Sequence, residues 1–340
     1  MHPFRDSASI VGDGAALRAR LAADGYLFLP GLLPAEKVAA VRRRLVAMLA
    51  DLGWVRRDGA DGLAARADLA AFRDDTDPVA TDLVCRQGAS VEVQRLQHHP
   101  ALTGLFARLF DGPVLPLPRI LVRNIFPRME EHTTPQHQDY PHVQGSRRLC
   151  TAWIPIGDCA GDLGGLRVAT GSHRNGVLPL EPAMGAGGMA VPGDFAADWA
   201  WSPMRAGDVL VFNCLTVHQG IPNRSDAMRI SVDLRYQPAG EPVCADWLTP
   251  FRGFMDWDAF YAAAPDAGHR YYWRGMDLVT VPFDTAYYDE RDAKAFAMAE
   301  AGDRRALSTL RRIATKDADA AKRARAAAAI AALEPAPAEA

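Results

Sequence analysis

The spacing of apolar residues near the start of the chain predicts a strand followed by a helix. Tyr26–Leu29 form a short apolar run between Gly25 and Pro30, and such a run bounded by turn residues is typical of a strand. Pro34 then suits the first turn of a helix. The next apolar residues are three or four positions apart and predict one buried helical stripe that ends at Gly53: Val38, Val41, Leu45, Met48, Leu49 and Leu52.

The centre of the chain has a different pattern, in which short β-branched and aromatic runs alternate with Gly, Pro and Asp. This pattern favours antiparallel strands in a sandwich or a barrel, so the predicted fold class is mainly β with flanking helices. A polar loop, with room for one short helix, is predicted before this region at 54–78, and a short helix at Pro100–Phe110. Residues 180–200, rich in Gly, Ala and Pro, are predicted to form a long mobile insertion. The predicted strands cover residues 119–126, 149–156, 165–168, 208–213 and 229–236.

The last hundred residues fall into two parts of different composition. Residues 251–288 are dense in aromatic side chains, which leaves three readings open: a lid over a pocket, a subunit contact, or ordinary packing. Residues 291–333 are rich in Ala, Arg and Lys and are predicted to be helical. Residues 334–340 are predicted to be a disordered tail. We therefore expect one domain over 1–250 and a C-terminal extension over 251–333 packed on it.

Composition and charge narrow the class of protein. The 340 residues are 49% hydrophobic and 23% charged, with a formal net charge of −3, so no general attraction to nucleic acid or to an anionic membrane is expected. The N-terminus lacks the apolar core of a signal peptide, and no apolar run is long enough to span a bilayer. Five scattered cysteines without a CxxC pair favour a reducing compartment. A cytoplasmic protein of undetermined oligomeric state is expected.

Two side chains in the middle of the chain are spaced as metal ligands. Because side chains alternate across a strand, His137 and Asp139 share one face, and their donor atoms can converge on one ion. An HxD pair alone is a weak signal, since it occurs by chance in many proteins. His218 closely follows an apolar strand, where a buried histidine needs a partner. Two histidines and one carboxylate can hold Fe(II) with coordination positions left open.

A second pattern follows eleven residues after His218. In this strand Arg229 and Ser231 share one face, while Ile230, Val232 and Leu234 share the other. Periodicity by itself favours an exposed polar face over an apolar core. The functional interpretation turns Arg229 into a barrel cavity, where its guanidinium would pair with an anion such as a dicarboxylate.

These residues resemble the phytanoyl-CoA dioxygenase family of Fe(II)/2-oxoglutarate-dependent oxygenases. The resemblance rests first on His137, Asp139, His218, Arg229 and Ser231 in their order and spacing, and it covers about residues 20 to 240. It includes five further segments that are similar to recurring pieces of the family, at residues 24–33, 151–156, 164–168, 171–174 and 206–212.

The resemblance implies a double-stranded β-helix, a jelly-roll of the cupin-like kind, within residues 1–250. It implies that His137, Asp139 and His218 bind Fe(II), and that Arg229 with Ser231 binds 2-oxoglutarate. The implied reaction oxidises a C–H bond of a small organic molecule with O₂, while 2-oxoglutarate is decarboxylated to succinate and CO₂. The implied partner is a small-molecule substrate, whose identity stays open, and neither a nucleic acid nor a membrane.

The resemblance also suggests two further residues of the cosubstrate site. Asn124 is similar to an asparagine that some family members use near the cosubstrate, and Trp153 is at the position of a tryptophan beside it. The lysine often found on the first strand has no clear counterpart, and Phe126 is present instead. No catalytic residue is predicted beyond the three ligands.

Other assignments remain open alternatives. Asp139 favours oxygenation over halogenation, since related halogenases replace this carboxylate with a small residue. His142 either faces the substrate or is a surface imidazole, and His173 is predicted to have a structural role. Two rival functions are a non-catalytic module that binds iron or 2-oxoglutarate, and a cupin-type metal-dependent hydrolase or isomerase. A nucleic-acid demethylase is less favoured, because no basic and aromatic groove is apparent.

Overall fold

The computed structural model describes residues 1–56, 65–251, 254–263 and 267–334. Part of the predicted loop, 57–64, and all but the first residue of the predicted tail lie outside the described residues. The α-helices α1 to α10 lie at Gly14–Asp24, Ala35–Asp51, Pro78–Gly88, Val91–Gln97, Pro100–Phe110, Tyr140–Val143, Trp257–Tyr261, Ala286–Glu300, Leu307–Lys316 and Ala320–Leu333. Short 3-10 helices lie at Ala8–Ile10, Leu69–Ala71, Glu130–His132, Gly161–Leu163, Ser172–Asn175, Ala245–Leu248, Ala267–His269, Tyr272–Gly275 and Arg304–Ala306.

The strands β1 to β15 lie at Tyr26–Leu29, Val55–Arg56, Arg66–Ala67, Val114–Pro116, Leu121–Ile125, Cys150–Pro155, Gly165–Ala169, Glu181–Pro182, Met189–Ala190, Trp199–Ala200, Val209–Asn213, His218–Ile221, Arg229–Pro238, Val243–Cys244 and Thr280–Val281. Each of the five strands predicted in the centre of the chain is present, with ends shifted by two residues or fewer. The first predicted strand, Tyr26–Leu29, is also present.

Two antiparallel sheets form the core of the fold. The larger sheet has the order β1-β11-β6-β13-β4, and β5 also pairs with β13. The smaller sheet has the order β10-β7-β12. A bridge between His137 and His218 adds a short segment at the edge of β12. The chain therefore passes from β5 in the larger sheet to His137 in the smaller, returns through β6, and alternates again through β7, β11, β12 and β13. This winding is a double-stranded β-helix, so the predicted jelly-roll fold is confirmed.

Alternation along the strands divides the apolar side chains between two layers. One face of the larger sheet packs on helices, and its buried residues join those of α2, α3 and α5 in one large cluster. The predicted stripe of α2 is part of this cluster, with Leu52 half-buried at its end. The other face of the larger sheet meets the smaller sheet through a second cluster, which includes Phe28, Trp153, Leu166, Val168, Leu210 and Phe212. Functional side chains that point between the sheets are therefore shielded from water.

The segment that was predicted to be a mobile insertion is packed more closely than its composition suggested. Residues 180–200 contain β8, β9 and β10, and their apolar side chains cover the outer face of the smaller sheet. The prediction of a mobile insertion is therefore wrong for this segment, because buried side chains such as Met189, Phe195 and Trp199 anchor it.

The extension after the barrel consists of an aromatic part and a helical part. Trp247, Trp257, Phe260, Tyr261 and Trp273 are buried in the large cluster, which is ordinary packing. Helices α8, α9 and α10 form a separate small core. None of the helices in the described ranges is both long enough and apolar enough to cross a membrane.

Candidate metal centre

Two histidines face each other across the edge of the smaller sheet. The backbone N–H of His137 donates to the carbonyl of His218 at 2.9 Å, and the reciprocal bond has the same length. This pair of bonds places the two side chains next to each other, with ring centroids 4.1 Å apart. Asp139 follows two residues after His137 and immediately precedes α6. The regular strand expected from the sequence is therefore absent at this point, because His137 lies in an isolated bridge and Asp139 has helical backbone angles at the start of α6. The histidine and the carboxylate nevertheless lie close together.

Three donor atoms converge at this point. His137, Asp139 and His218 are buried, and each offers one potential ligand atom within 4.8 Å of the others. The distance between His218 Nε2 and Asp139 Oδ1 is 3.8 Å. Distances of this size leave room for one ion between the three atoms. A group of two imidazoles and one carboxylate suits Fe(II) with open coordination positions.

Hydrogen bonds prepare both imidazoles as ligands. His137 Nδ1 lies 2.8 Å from the carbonyl oxygen of Pro135, and His218 Nδ1 lies 3.0 Å from that of Thr216. Because a carbonyl only accepts, each Nδ1 carries the proton and each Nε2 keeps a free lone pair. Burial and the neighbouring His218 lower the pKa of His137 to about 3, and burial lowers the pKa of His218. Both rings are therefore neutral near pH 7, the form that binds a metal.

The carboxylate of Asp139 is held in its charged form. The Thr151 hydroxyl donates to Oδ2 at 2.6 Å, and Arg235 Nη2 lies 3.3 Å from Oδ2 and 3.4 Å from Oδ1. Burial alone would raise the pKa of Asp139, but Arg235, the two histidines and Thr151 together hold it well below its usual range. The donor set is thus two neutral imidazoles and one anionic carboxylate, which fits a divalent cation.

Two polar side chains on β13 have hydrogen-bonding atoms without a partner among the described residues. Arg229 is 4% exposed and Ser231 is completely buried. Arg229 Nη1 donates to the carbonyl of Gly165, but Arg229 Nε and Ser231 Oγ have no partner within the described chain. The alternative of an exposed polar face is therefore wrong for β13. Its apolar residues Ile230, Val232 and Leu234 belong to the cluster that packs on the helices.

Trp153 and Asn124, the two further residues suggested for the cosubstrate site, lie on opposite faces of the larger sheet. Trp153 pairs in register with Asp233 and belongs to the cluster between the sheets, on the same side as Arg229. Asn124 pairs in register with Ile230, so it lies on the opposite face, toward α3. Its amide nitrogen donates to Gln87 at 2.7 Å, and Gln87 donates back at 3.2 Å. The structure therefore does not bring Asn124 to the other site residues, and we correct that assignment.

Several polar residues of the site were not singled out from the sequence. Asp233 and Arg235 continue the alternation that begins at Arg229 and Ser231, so the same period of two could have identified them. Arg123 lies on β5 opposite Ser231 and donates to Asp233 at 2.7 Å. Arg123 is therefore the cationic side chain of β5 on the same face of the sheet as Ser231, whereas Phe126 packs in the large apolar cluster.

His142 and His173 complete the account of the histidines near the motifs. His142 is half-buried, its ring centroid lies 6.1 Å from that of His137, and its Nδ1 lies 2.5 Å from the hydroxyl of Tyr288. It is therefore not the surface imidazole that one interpretation expected. His173 bonds to the backbone carbonyl of Ala22 at 3.1 Å, which agrees with a structural role.

The fold and the cluster together define a double-stranded β-helix protein with a buried two-histidine, one-carboxylate centre. The sequence profile of the phytanoyl-CoA dioxygenase (PhyH) family matches residues 21–231, and the chain belongs to this family. The resemblance inferred from the motifs is thereby confirmed. The protein is an Fe(II)- and 2-oxoglutarate-dependent dioxygenase that uses O₂. Neither rival function, the non-catalytic module or the cupin-type hydrolase or isomerase, is favoured.

Individual relatives carry more specific names. A 1-deoxypentalenic acid 11-beta-hydroxylase of Streptomyces arenae is 29% identical over 266 residues, which cover 73% of this chain and 89% of the relative. The Streptomyces exfoliatus protein of the same name is 29% identical over 264 residues, with the same coverage. Among solved structures, the epimerase SnoN in complex with Fe³⁺, alpha ketoglutarate and nogalamycin RO has 25% identity and a TM-score of 0.48, covering 68% of this chain and 87% of SnoN.

Proposed function

We propose that His137, Asp139 and His218 hold the Fe(II) of this enzyme, and that Arg229 and Ser231 bind the distal carboxylate of 2-oxoglutarate. The observation that carries this proposal is the convergence of three buried donor atoms within 4.8 Å of one another. Its support is that unpartnered donors of Arg229 and Ser231 lie on the same face of β13 as the residues around Asp139.

The side chains of the protein position the metal ligands and balance the charge of the site. The Nδ1 bonds to Pro135 and Thr216 fix both imidazole tautomers and direct each Nε2 toward the cluster. Three protein ligands leave three positions on a six-coordinate ion for cosubstrate and oxygen. Bound iron with 2-oxoglutarate and O₂ supplies the oxidising chemistry, in which one oxygen atom enters succinate and the other enters the product as a hydroxyl group. Trp153 and the apolar side chains between the sheets exclude water from the reacting atoms.

The distal carboxylate of the cosubstrate is matched by the buried guanidinium. Burying an arginine with unpartnered nitrogen atoms is costly, and a carboxylate relieves the cost through short charge-assisted hydrogen bonds. Arg229 Nε and Ser231 Oγ are buried donors without a partner among the described residues, and they are free to make such bonds. Arg229 thus serves 2-oxoglutarate rather than the metal.

The primary substrate is a small organic molecule in this proposal, with neither nucleic acid nor membrane as a partner. The curated relatives are named as hydroxylases of 1-deoxypentalenic acid, a carboxylic acid, and they cover most of the chain. Small carboxylic acids are therefore the substrate class to test first. The reaction would be hydroxylation of a C–H bond. A cytoplasmic location is the accompanying proposal, in line with five cysteines that are all free thiols.

The test of the ligand assignment is an anaerobic titration with Fe(II) and 2-oxoglutarate, followed by visible absorption. Wild-type protein should show the charge-transfer band of metal-chelated cosubstrate. His137→Ala and Asp139→Ala should abolish the band, because each removes one of three ligands. His173→Ala is the matched control, since this histidine bonds to Ala22 away from the cluster, and its band should equal that of wild type. A full band in either ligand variant would refute the assignment.

The test of the substrate class is succinate formation measured against a panel of small carboxylic acids that includes 1-deoxypentalenic acid. Succinate formed above the substrate-free rate, together with a product that is heavier by one oxygen atom, would support hydroxylation. If any compound were turned over at a rate that does not depend on O₂ or on 2-oxoglutarate, that result would contradict hydroxylation.

A further inference from the structure

The two oxygen atoms of the Asp139 carboxylate have different surroundings. Oδ2 accepts the Thr151 hydroxyl at 2.6 Å and lies 3.3 Å from Arg235 Nη2. Oδ1 lies 3.4 Å from the same nitrogen and 3.8 Å from His218 Nε2. One oxygen is therefore engaged by a short bond from the protein, whereas the other lies nearer the imidazole of His218.

The two donors are held rigidly in these positions. Thr151 and Arg235 are cross-strand partners on β6 and β13, so the sheet itself sets their spacing. Arg235 is 2% exposed, and its guanidinium lies 4.8 Å from the ring centroid of Trp247. The indole N–H of Trp247 in turn donates to the carbonyl of His142 at 3.0 Å. The segment that follows the barrel therefore covers the arginine and restricts its movement.

Arg235 has no other acceptor that would explain its burial. Its Nε and Nη1 have no partner within the residues described, and Nη2 is directed at Asp139 alone. A buried guanidinium with one carboxylate partner is expensive compared with an apolar side chain of similar size. Stability alone therefore does not account for its position, and a role at the metal centre does.

A carboxylate can bind a metal ion through one oxygen or through both. The second bond would consume one of the three positions that a two-histidine, one-carboxylate centre leaves open. 2-Oxoglutarate needs two of these positions and O₂ needs the third. A protein contact that keeps the second carboxylate oxygen away from the ion would therefore leave all three positions for 2-oxoglutarate and O₂.

We propose that Thr151 and Arg235 are positioning residues that restrict Asp139 to coordination through Oδ1. Thr151 occupies Oδ2 with its hydroxyl hydrogen, and Arg235, at nearly equal distance from both oxygen atoms, fixes the orientation of the carboxylate as a whole and compensates its charge. The inference rests on the proposed function, because it presumes that Asp139 is a metal ligand.

The experiment compares wild type with Thr151→Val, Arg235→Gln and Arg235→Lys under anaerobic conditions. Binding of Fe(II) alone is titrated first, and binding of 2-oxoglutarate to the Fe(II) form is then followed by the charge-transfer band. The Co(II) forms without 2-oxoglutarate provide a readout independent of activity, since their visible absorption depends on the ligands and the geometry of the ion. Arg291→Gln is the matched control, because Arg291 is also buried and paired with a carboxylate, that of Asp292 in α8.

We expect Thr151→Val and Arg235→Gln to keep Fe(II) affinity within about tenfold, because the freed oxygen can add a bond, and to weaken 2-oxoglutarate roughly 10- to 100-fold. Their Co(II) absorption should change in position or intensity, as expected when a second carboxylate oxygen replaces a water ligand, while Arg235→Lys should recover part of the 2-oxoglutarate affinity. Arg291→Gln should match wild type in all three measurements.

Two results would overturn the proposal. The first is unchanged 2-oxoglutarate affinity and an unchanged Co(II) spectrum in Thr151→Val, a variant that removes only one hydroxyl group and tests the idea even if Arg235→Gln fails to fold. The second is a loss of Fe(II) affinity that equals the loss of 2-oxoglutarate affinity, since the pair would then merely retain Asp139 as a ligand. A wild-type protein without the charge-transfer band would instead refute the proposed function itself.

Discussion

A buried guanidinium creates the strongest requirement for a ligand at the scale of single residues. Arg229 is surrounded by protein on all sides, and burial lowers the pKa of its side chain because the charged form loses its hydration. The backbone carbonyl of Gly165 satisfies only part of its hydrogen-bonding capacity. An anion that enters the barrel would therefore be bound through Arg229 more than through any surface charge.

Replacement of Arg229 should separate cosubstrate binding from metal binding. Arg229→Gln is expected to weaken 2-oxoglutarate by roughly 30- to 1,000-fold, since losing one partner of a buried charge pair costs about 2 to 4 kcal/mol. The 2-oxoglutarate affinity of Arg229→Lys should fall between those of wild type and Arg229→Gln, because lysine keeps the charge but loses the two-point geometry. Titration of the charge-transfer band measures this effect, and Fe(II) binding alone should change little.

A suitable control for Arg229 is another arginine of the barrel. Arg167 lies on β7 and donates to Gln219 across the strands, on the face of the smaller sheet that carries Trp199. Arg167→Gln should leave 2-oxoglutarate affinity unchanged. Equal weakening of metal and cosubstrate in Arg229→Gln would contradict the assigned role, because it would indicate general damage to the barrel.

The period of two along β13 shows what sequence reasoning can and cannot reach at this scale. It identified the face of Arg229 and Ser231, and it contained Asp233 and Arg235 as well. It could not identify Thr151, because the pairing of Thr151 with Arg235 depends on the register between β6 and β13. Register is set by the packing of whole strands, and the spacing of residues in one strand carries no information about it.

At the scale of elements, the hydrogen-bonded contact between β5 and α3 explains why Asn124 is not part of the cosubstrate site. Asn124 and Gln87 form two reciprocal amide hydrogen bonds, which attach the helix to the sheet. Val122, on the same face of β5, belongs to the large apolar cluster. The resemblance to family members suggested a role for this asparagine. Its side chain, however, lies on the same face of the sheet as Ile230, and Arg229 lies on the opposite face.

Asn124→Ala should therefore affect stability rather than cosubstrate binding. Removing the amide leaves a fully buried partner unsatisfied in Gln87, which costs about 1 to 3 kcal/mol of unfolding free energy. Urea unfolding measures this loss, and the affinity for 2-oxoglutarate should stay at the wild-type value. The double variant Asn124→Ala with Gln87→Ala should lose less than the sum of the single changes, because both remove the same interaction. A weakened 2-oxoglutarate affinity in Asn124→Ala would restore the original assignment.

The short helix α6 connects the metal centre to the C-terminal extension. Gln144 and Asp284 exchange two hydrogen bonds, of 2.8 and 2.7 Å, at the end of this helix. Tyr288 bonds to His142 within it. The sequence predicted helical and aromatic character for the extension correctly, but not this contact, because the paired residues are about 140 positions apart and neither pattern specifies a partner. Composition predicts elements, whereas docking depends on surfaces that only the folded chain brings together.

The whole molecule contains several buried or half-buried histidines that the folded state keeps neutral. Burial lowers the pKa of His98 to about 4, with a contribution from His269, and that of His142 to about 3, with a contribution from His137. Burial also lowers the pKa of His137 to about 3. In the unfolded chain each of these imidazoles would take up a proton near pH 6.5. Unfolding is thus coupled to proton uptake at mildly acidic pH.

The metal-free protein should therefore lose stability as the pH falls from about 6.5 toward 4, and it should be stable above that window. Between these values the unfolded state binds more protons than the folded state, so each histidine contributes a slope of up to about 1.4 kcal/mol per pH unit. Urea unfolding at a series of pH values measures the slope. His142→Gln should reduce it by up to one histidine's share. A bound divalent ion should shift the acid transition to lower pH, because it occupies the lone pairs of His137 and His218 that protons would otherwise take. A metal-free protein whose unfolding free energy is constant between pH 7 and 4 would show that these imidazoles are solvated rather than buried.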